Sequence, residues 1–397
     1  MFSCNNYLSG LSLLGVLALA SANRYESEVM NQAMVDGASH TIQVDDDFVI
    51  CDVDIEVDIV RGNSSAVHID LSFGGMTVDL ANVELCSLNA IFDDSSTTTV
   101  DSVVGCVSYG TYQPQGSLSV FNSESSQGSW TLEFPSFSGF NILTQWAVIL
   151  TPCEGAGTGD PHFKTWANKW YDFHGVCDLV FLSNPKFAQG TGLEIHIRTK
   201  ARYQYSYIES AAIQLGEDIL EVGAYGGYML NGISNADLDK LDKYTITHQM
   251  VSSKQSVFIV ELGEGKQIVI QSFKDLVSVK TVGASFEEYG GSMGLLGEFG
   301  TGQWLSRNGT VMSDADAFGN EWQVLETEPK LFQMERFPQH PVQCTMPSHG
   351  KVGRRLGESI AEAAAEKACE HWGDLKDQCV YDVMAAGDLE LAEAGAF

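Results

Sequence analysis

Residues 159–182 read GDPHFKTWANKWYDFHGVCDLVFL. The first four residues raise a chemical question. An Asp-Pro bond is the weakest peptide link in acid: the Asp160 carboxyl attacks its own backbone carbonyl, the protonated nitrogen of Pro161 leaves, and a five-membered cyclic anhydride remains. In a folded site that reaction needs a strained turn, glycine freedom beside it and a proton donor. Gly157 and Gly159 supply the freedom, and His162, with an ordinary pKa near about 6.5, is the donor or orienting group. The same residues also make a plain structural turn, in which Pro161 fixes φ, Asp160 accepts local hydrogen bonds and His162 packs at a strand edge.

The chain on both sides of this stretch has the period of two expected for half-buried strands. In CDVDIEVDIV (51–60), Val53, Ile55, Val57 and Ile59 alternate with Asp52, Asp54, Glu56 and Asp58, so the acids are expected on the wet face. AVHIDLSF (66–73) and SWTLEF (129–134) continue the pattern before the motif; LEIHIRTK (193–200), SVFIVEL (256–262), KQIVIQSF (266–273) and LVSVKTV (276–282) continue it after. Gly226-Gly227, Gly290-Gly291 and Asn231-Gly232 supply turns. From Leu356 the character changes. ESIAEAAAEKACEHW (358–372) and DQCVYDVMAA (377–386) are helix formers. The expected fold is mainly β: two antiparallel β-sandwich-like modules, 23–152 and 153–344, then a short C-terminal α-helical hairpin within 345–397.

Residues 1–22 contain an apolar run and the small residues Ala20 and Ala22, which reads as a signal peptide. That run is too short to cross a bilayer, so a secreted chain without a membrane span is expected. Cys4 would leave with it. Eight cysteines would remain, at 51, 86, 106, 153, 177, 344, 369 and 379, widely spaced and without zinc knuckles, which points to disulfides in an oxidising compartment. Cys369 and Cys379 suit a staple across the helical hairpin. The sequons at Asn63 and Asn308 are candidate glycosylation sites. A net charge of −30 opposes binding to nucleic acid and anionic membranes and favours divalent cations or cationic polymers, although solubility alone accounts for it.

The stretch at 159–182 resembles the opening of a von Willebrand factor type D domain. YMLNGI (228–233), GSMGLLGEFG (291–300) and DADAFGNEWQV (314–324) resemble later segments of that family, in order, over about Cys153 to Cys344. Residues 116–134, with TQWAVIL (144–150), resemble more loosely the P domain of proprotein convertases. The type D resemblance implies a secreted β domain mediating macromolecular assembly, a Cys177–Cys344 pairing, and, for some members with Gly-Asp-Pro-His, self-cleavage between Asp160 and Pro161.

Departures from the family pattern carry their own implications. Leu296 stands where the family has a cysteine, so Cys153 is expected to pair back with Cys51, Cys86 or Cys106. The CxxC of covalently multimerising members is absent, which puts covalent multimers in doubt. Only Asp160, Glu298 and Asn308 offer oxygens for calcium, fewer than the six to eight it takes, so no cofactor is expected.

The function expected is a non-enzymatic secreted matrix or adhesion protein whose partners are other extracellular proteins or polysaccharides. The alternative is the same scaffold undergoing acid-promoted autoproteolysis with anhydride-mediated crosslinking, through Asp160, Pro161 and His162. Trp304, in a glycine-rich loop, is the expected exposed contact. A metal hydrolase built on His162, His174 and His196 fits no ligand spacing, and the large apolar repeats of lipid carriers are missing.

Overall fold

The computed structural model describes residues 22–29, 32–33, 35–61, 65–100, 107–136, 141–159, 161–202, 205–263, 265–334, 343–347 and 362–394. The expected signal segment through residue 21, Asn63, Cys106 and Asp160 lie outside the described residues, as does the side chain of Cys86. The fold is mainly β.

Strand Ile50–Arg61 is the spine of the first module. It pairs antiparallel with Asn141–Pro152 on one side and with Met76–Phe92 on the other. Its four alternating aliphatics, Val53, Ile55, Val57 and Ile59, are at most 1% exposed. Met76–Phe92 is long enough to serve two neighbours. Its first half pairs with Ser65–Phe73 and its second with Ile50–Arg61, so one hydrogen-bonded path turns over a common core. In that core Phe73 stacks on Trp130 at 3.9 Å between ring centroids. One ladder departs from the antiparallel expectation: Val107–Tyr112 runs parallel to Met76–Phe92.

The acids opposite the aliphatics are half-covered instead of freely wet. Burial, with Asp52, Asp93 and Asp94 nearby, pushes the Asp54 carboxyl up to about 7.

The second module has two sheets. The eight-stranded sheet runs from Trp170–Asp172 through His162–Lys164, Ala156–Thr158, Leu276–Val282, Lys266–Phe273, Gln255–Gly263 and Tyr244–Ser252 to Lys240–Leu241. The six-stranded sheet is a meander from Asp178–Asn184 to Ile233–Ser234. Phe181, Ile195, Ile213, Phe258, Ile270 and Val279 share the core between them. Helix Ala315–Glu321, capped by Asp314 Oδ1 accepting from Ala317 N at 2.7 Å, buries Phe318 and delivers Trp322. The backbone then lies along Asp178–Asn184, with Val180 N donating to Trp322 O and Val324 N to Asp178 O.

Three disulfides fasten the described chain. Cys51 bonds Cys153, tying the start of the spine strand to the exit of Asn141–Pro152. Cys177 bonds Cys344, and Cys369 bonds Cys379 between helices Glu362–Ala368 and Lys376–Ala386. The helical hairpin docks on the second module. Ala365, Val383 and Leu391 pack on Tyr207, Phe273 and Leu276, and burying the Val383 and Leu391 side chains contributes about 1.5–3 kcal/mol each. Lys274 pairs with Asp388 at 2.7 Å and Lys254 with Glu390 at 2.8 Å beside that patch.

Candidate functional site

Strands Ala156–Thr158, His162–Lys164 and Trp170–Asp172 form a tight antiparallel triplet around the Gly-Asp-Pro-His segment. Thr158 is the register partner of His162, and Gly159 and Pro161 are the described residues between them. Gly159 sits at φ +51°, in the left-handed region that favours glycine. A second constraint acts on the same residue. A β-carbon there would stand 2.8 Å from Asp382 Oδ2, a carboxylate of helix Lys376–Ala386.

His162 is 6% exposed and is held from two sides. Asp172, its register partner across the strands, lies 2.6 Å from Nδ1. Asp382 reaches within 3.5 Å of Nε2 from the docked tail. Burial alone disfavours the imidazolium, but the hydrogen bonds and charges of Asp172 and Asp382 outweigh it and push His162 up to about 10. The Asp172 carboxyl is held low in return, through its hydrogen bond with His162, against the effect of burial. The ring therefore carries its proton at neutral and acid pH, with a carboxylate on either side.

The aromatic residues behind the motif serve packing. Phe163 and Trp166 are buried, and Trp166 meets Phe299 edge-on at 4.8 Å. Trp304, expected as an exposed contact, is half-buried. Its ring stacks on Phe318 at 5.2 Å and meets Tyr171 at 4.8 Å, because the glycine-rich loop folds back over the closing helix. Leu296, at the position of the family's cysteine, is fully buried over Gly155, two residues from Cys153.

The other candidate residues are dispersed. Glu298 Oε2 accepts from Thr301 Oγ1 at 2.8 Å, while exposed Asn308 accepts from Ser306 and Thr310 in a different turn. His196 faces Glu194 at 3.1 Å, and His174 lies edge-on to Tyr205. Among the described residues, no group of three ligating side chains contains His162, His174 or His196. Sequence reasoning missed both carboxylates of the His162 site. Asp172 had a signal, since folding the Phe163–Tyr171 stretch into a hairpin about Asn168 (φ +57°) sets it opposite His162. Asp382 had none, because only tertiary docking brings it there.

No family model matches the chain. Mucin-5B of Gallus gallus is 28% identical over 258 residues, an alignment covering 62% of this chain and 12% of the mucin. The chain thus spans about an eighth of that relative's length. Among solved structures, the serine protease of Aeromonas sobria is similar at 16% identity with a TM-score of 0.23, over 33% of this chain and 26% of the protease. Its complex with the chaperone ORF2 gives a TM-score of 0.22 at the same identity and coverage. Similarity at that level carries no argument about the fold.

Proposed function

We propose that the chain is a secreted extracellular matrix or adhesion protein whose second module is a von Willebrand factor type D-like domain that contacts other extracellular macromolecules without turnover chemistry. The observation carrying this reading is the Cys177–Cys344 disulfide, which joins the strand following the Gly-Asp-Pro-His triplet to the chain beyond the closing Phe318-x-x-x-Trp322-x-Val324 segment. The partial similarity to a mucin and the net charge of −30 support an extracellular, solvated surface that attracts cationic polymers.

A second reading is favoured by His162, a protonated ring next in sequence to Pro161. In it the Asp160 carboxylate attacks its own carbonyl carbon and the bond to the prolyl nitrogen breaks. That nitrogen takes a proton, and the resulting anhydride is opened by water or by an amine of another molecule. Both His162 nitrogens face carboxylates, so proton donation to the prolyl nitrogen requires the Asp382 contact to open.

One experiment tests both. The full chain is expressed in secreting cells, the medium and the detergent-insoluble matrix are separated, and recovered protein is weighed intact after incubation at about pH 5 and about pH 7.5, beside an Asp160→Asn control. Recovery of intact chain from the matrix, released by salt, is the result expected of the first reading; retention inside the cells would overturn it. Fragments ending at Asp160 and starting at Pro161, absent from the control, would establish the second, and an uncut chain at both pH values would remove it.

A further inference from the structure

A second cluster lies in the first module, on strands the Gly-Asp-Pro-His site does not use. His68 and Asp70 sit two apart on Ser65–Phe73 and so share a face; Asp79 lies on the neighbouring strand Met76–Phe92. A register shift between Ile69 and Asp70 skips one residue and sets Asp79 directly opposite Asp70. On the other side of Asp70 the register partner is Glu133. Three carboxylates thus line up across three adjacent strands, an arrangement that destabilises a sheet when nothing neutralises it. Among the described residues, no lysine or arginine pairs with Asp70 or Asp79. The bulge re-aims a side chain at a cost in regular pairing, and it creates the repulsive pair.

His68 Nε2 points between the two carboxylates, 3.1 Å from Asp70 Oδ1 and 3.4 Å from Asp79 Oδ2. Neither approach is aligned as a hydrogen bond: His68 Nε2 and Asp79 Oδ1 are shielded from solvent yet have no hydrogen-bond partner. The three side chains bring one ligating atom each within 4.8 Å of one another. The two separations from His68 suit ligands of one ion, since two donors about 2.05 Å from a tetrahedral centre stand about 3.3 Å apart.

We propose that His68, Asp70 and Asp79 form a binding site for one zinc-class divalent cation on the outer face of the first module. One imidazole nitrogen with two carboxylate oxygens selects a borderline ion over calcium, which takes six to eight oxygens. Asp79 is 41% exposed, so the remaining coordination position opens to solvent, where water or a donor from another molecule completes it.

The test uses the full chain stripped with chelator and titrated with Zn²⁺ alone by calorimetry, with the melting temperature followed in parallel. One saturable equivalent per chain and a raised Tm are expected. His68→Gln and Asp79→Asn should each weaken that binding by at least about tenfold, the scale seen even for residues one shell removed from a metal. Metal-free Asp79→Asn should melt no lower than the metal-free parent, because it removes a repulsion. If His68→Gln does not fold, the partly exposed Asp79→Asn decides alone. Absence of a one-to-one saturable event, or affinities unchanged in the folded variants, would overturn the proposal and assign zinc binding to the diffuse acidic surface.

Discussion

At the scale of single residues, His162 makes the protein's stability depend on pH in a defined direction. Its pKa rises from 6.5 in the unfolded chain to about 10 in the fold. A raised pKa means the native state holds the proton more tightly, so the stabilisation is complete below 6.5 and is lost as pH climbs from there through about 10. Asp172, held low, acts at the other end: its contribution is present above its usual value of 3.8 and is lost as pH falls below that. His162→Gln should therefore flatten the alkaline limb of a plot of Tm against pH relative to the parent. The difference in stability near neutrality should be on the order of a few kcal/mol. Parallel alkaline limbs in parent and variant would refute the assignment. The sequence singled out the histidine as a candidate acid or orienting group. Its protonation state was not legible there, because it is set by Asp172 across the strands together with Asp382 from the docked tail.

Among the elements, the segment Gly291–Gly300 is where backbone geometry matters most. Gly294 has φ +132°, and a β-carbon on it would stand 2.6 Å from the carbonyl oxygen of Phe181. Backbone cannot move aside as a side-chain tip can, so Gly294→Ala combines strain with overpacking and should cost about 2–5 kcal/mol. Gly291, at φ +80° with nothing within 4 Å of the same construction, isolates the strain term, and Gly291→Ala should cost about 1–2 kcal/mol. Urea midpoints at unchanged slope measure both, and equal losses would contradict the clash. Ile50–Arg61 and Ser65–Phe73 were readable from alternation because each buries one face, whereas Lys266–Phe273 and Leu276–Val282 are covered on both. Tyr205–Leu215 was less so, since Ile208 and Ala211 face the core while Tyr207 supports the docked tail, leaving almost no polar side to mark the period. Helix Ala315–Glu321 carried a cap signal at Asp314, but its seven residues are too short for helical periodicity to register.

For the whole molecule, the disulfides divide the work. Cys51–Cys153 ties the spine strand to the threshold of the second module, and Cys177–Cys344 spans 167 residues to close that module. A cross-link over so long a loop restricts the unfolded chain strongly, so Cys177→Ala with Cys344→Ala should cost about 2–5 kcal/mol and lower Tm in thermal unfolding. A double variant that melts with the parent would show that the packing of the module suffices without it. Two β modules and a helical hairpin were legible from composition and period. The docking of that hairpin onto the turn at Gly159 was not, because the lysines and acids that fasten it are ordinary surface residues until the surfaces meet. The docking also sets an order of events during biosynthesis. Asp382 follows His162 by about 220 residues, and at ribosomal speed that gap is on the order of ten to forty seconds. Throughout that interval His162 has only one of its two guarding carboxylates, and residues made much later complete the environment of a motif laid down long before them.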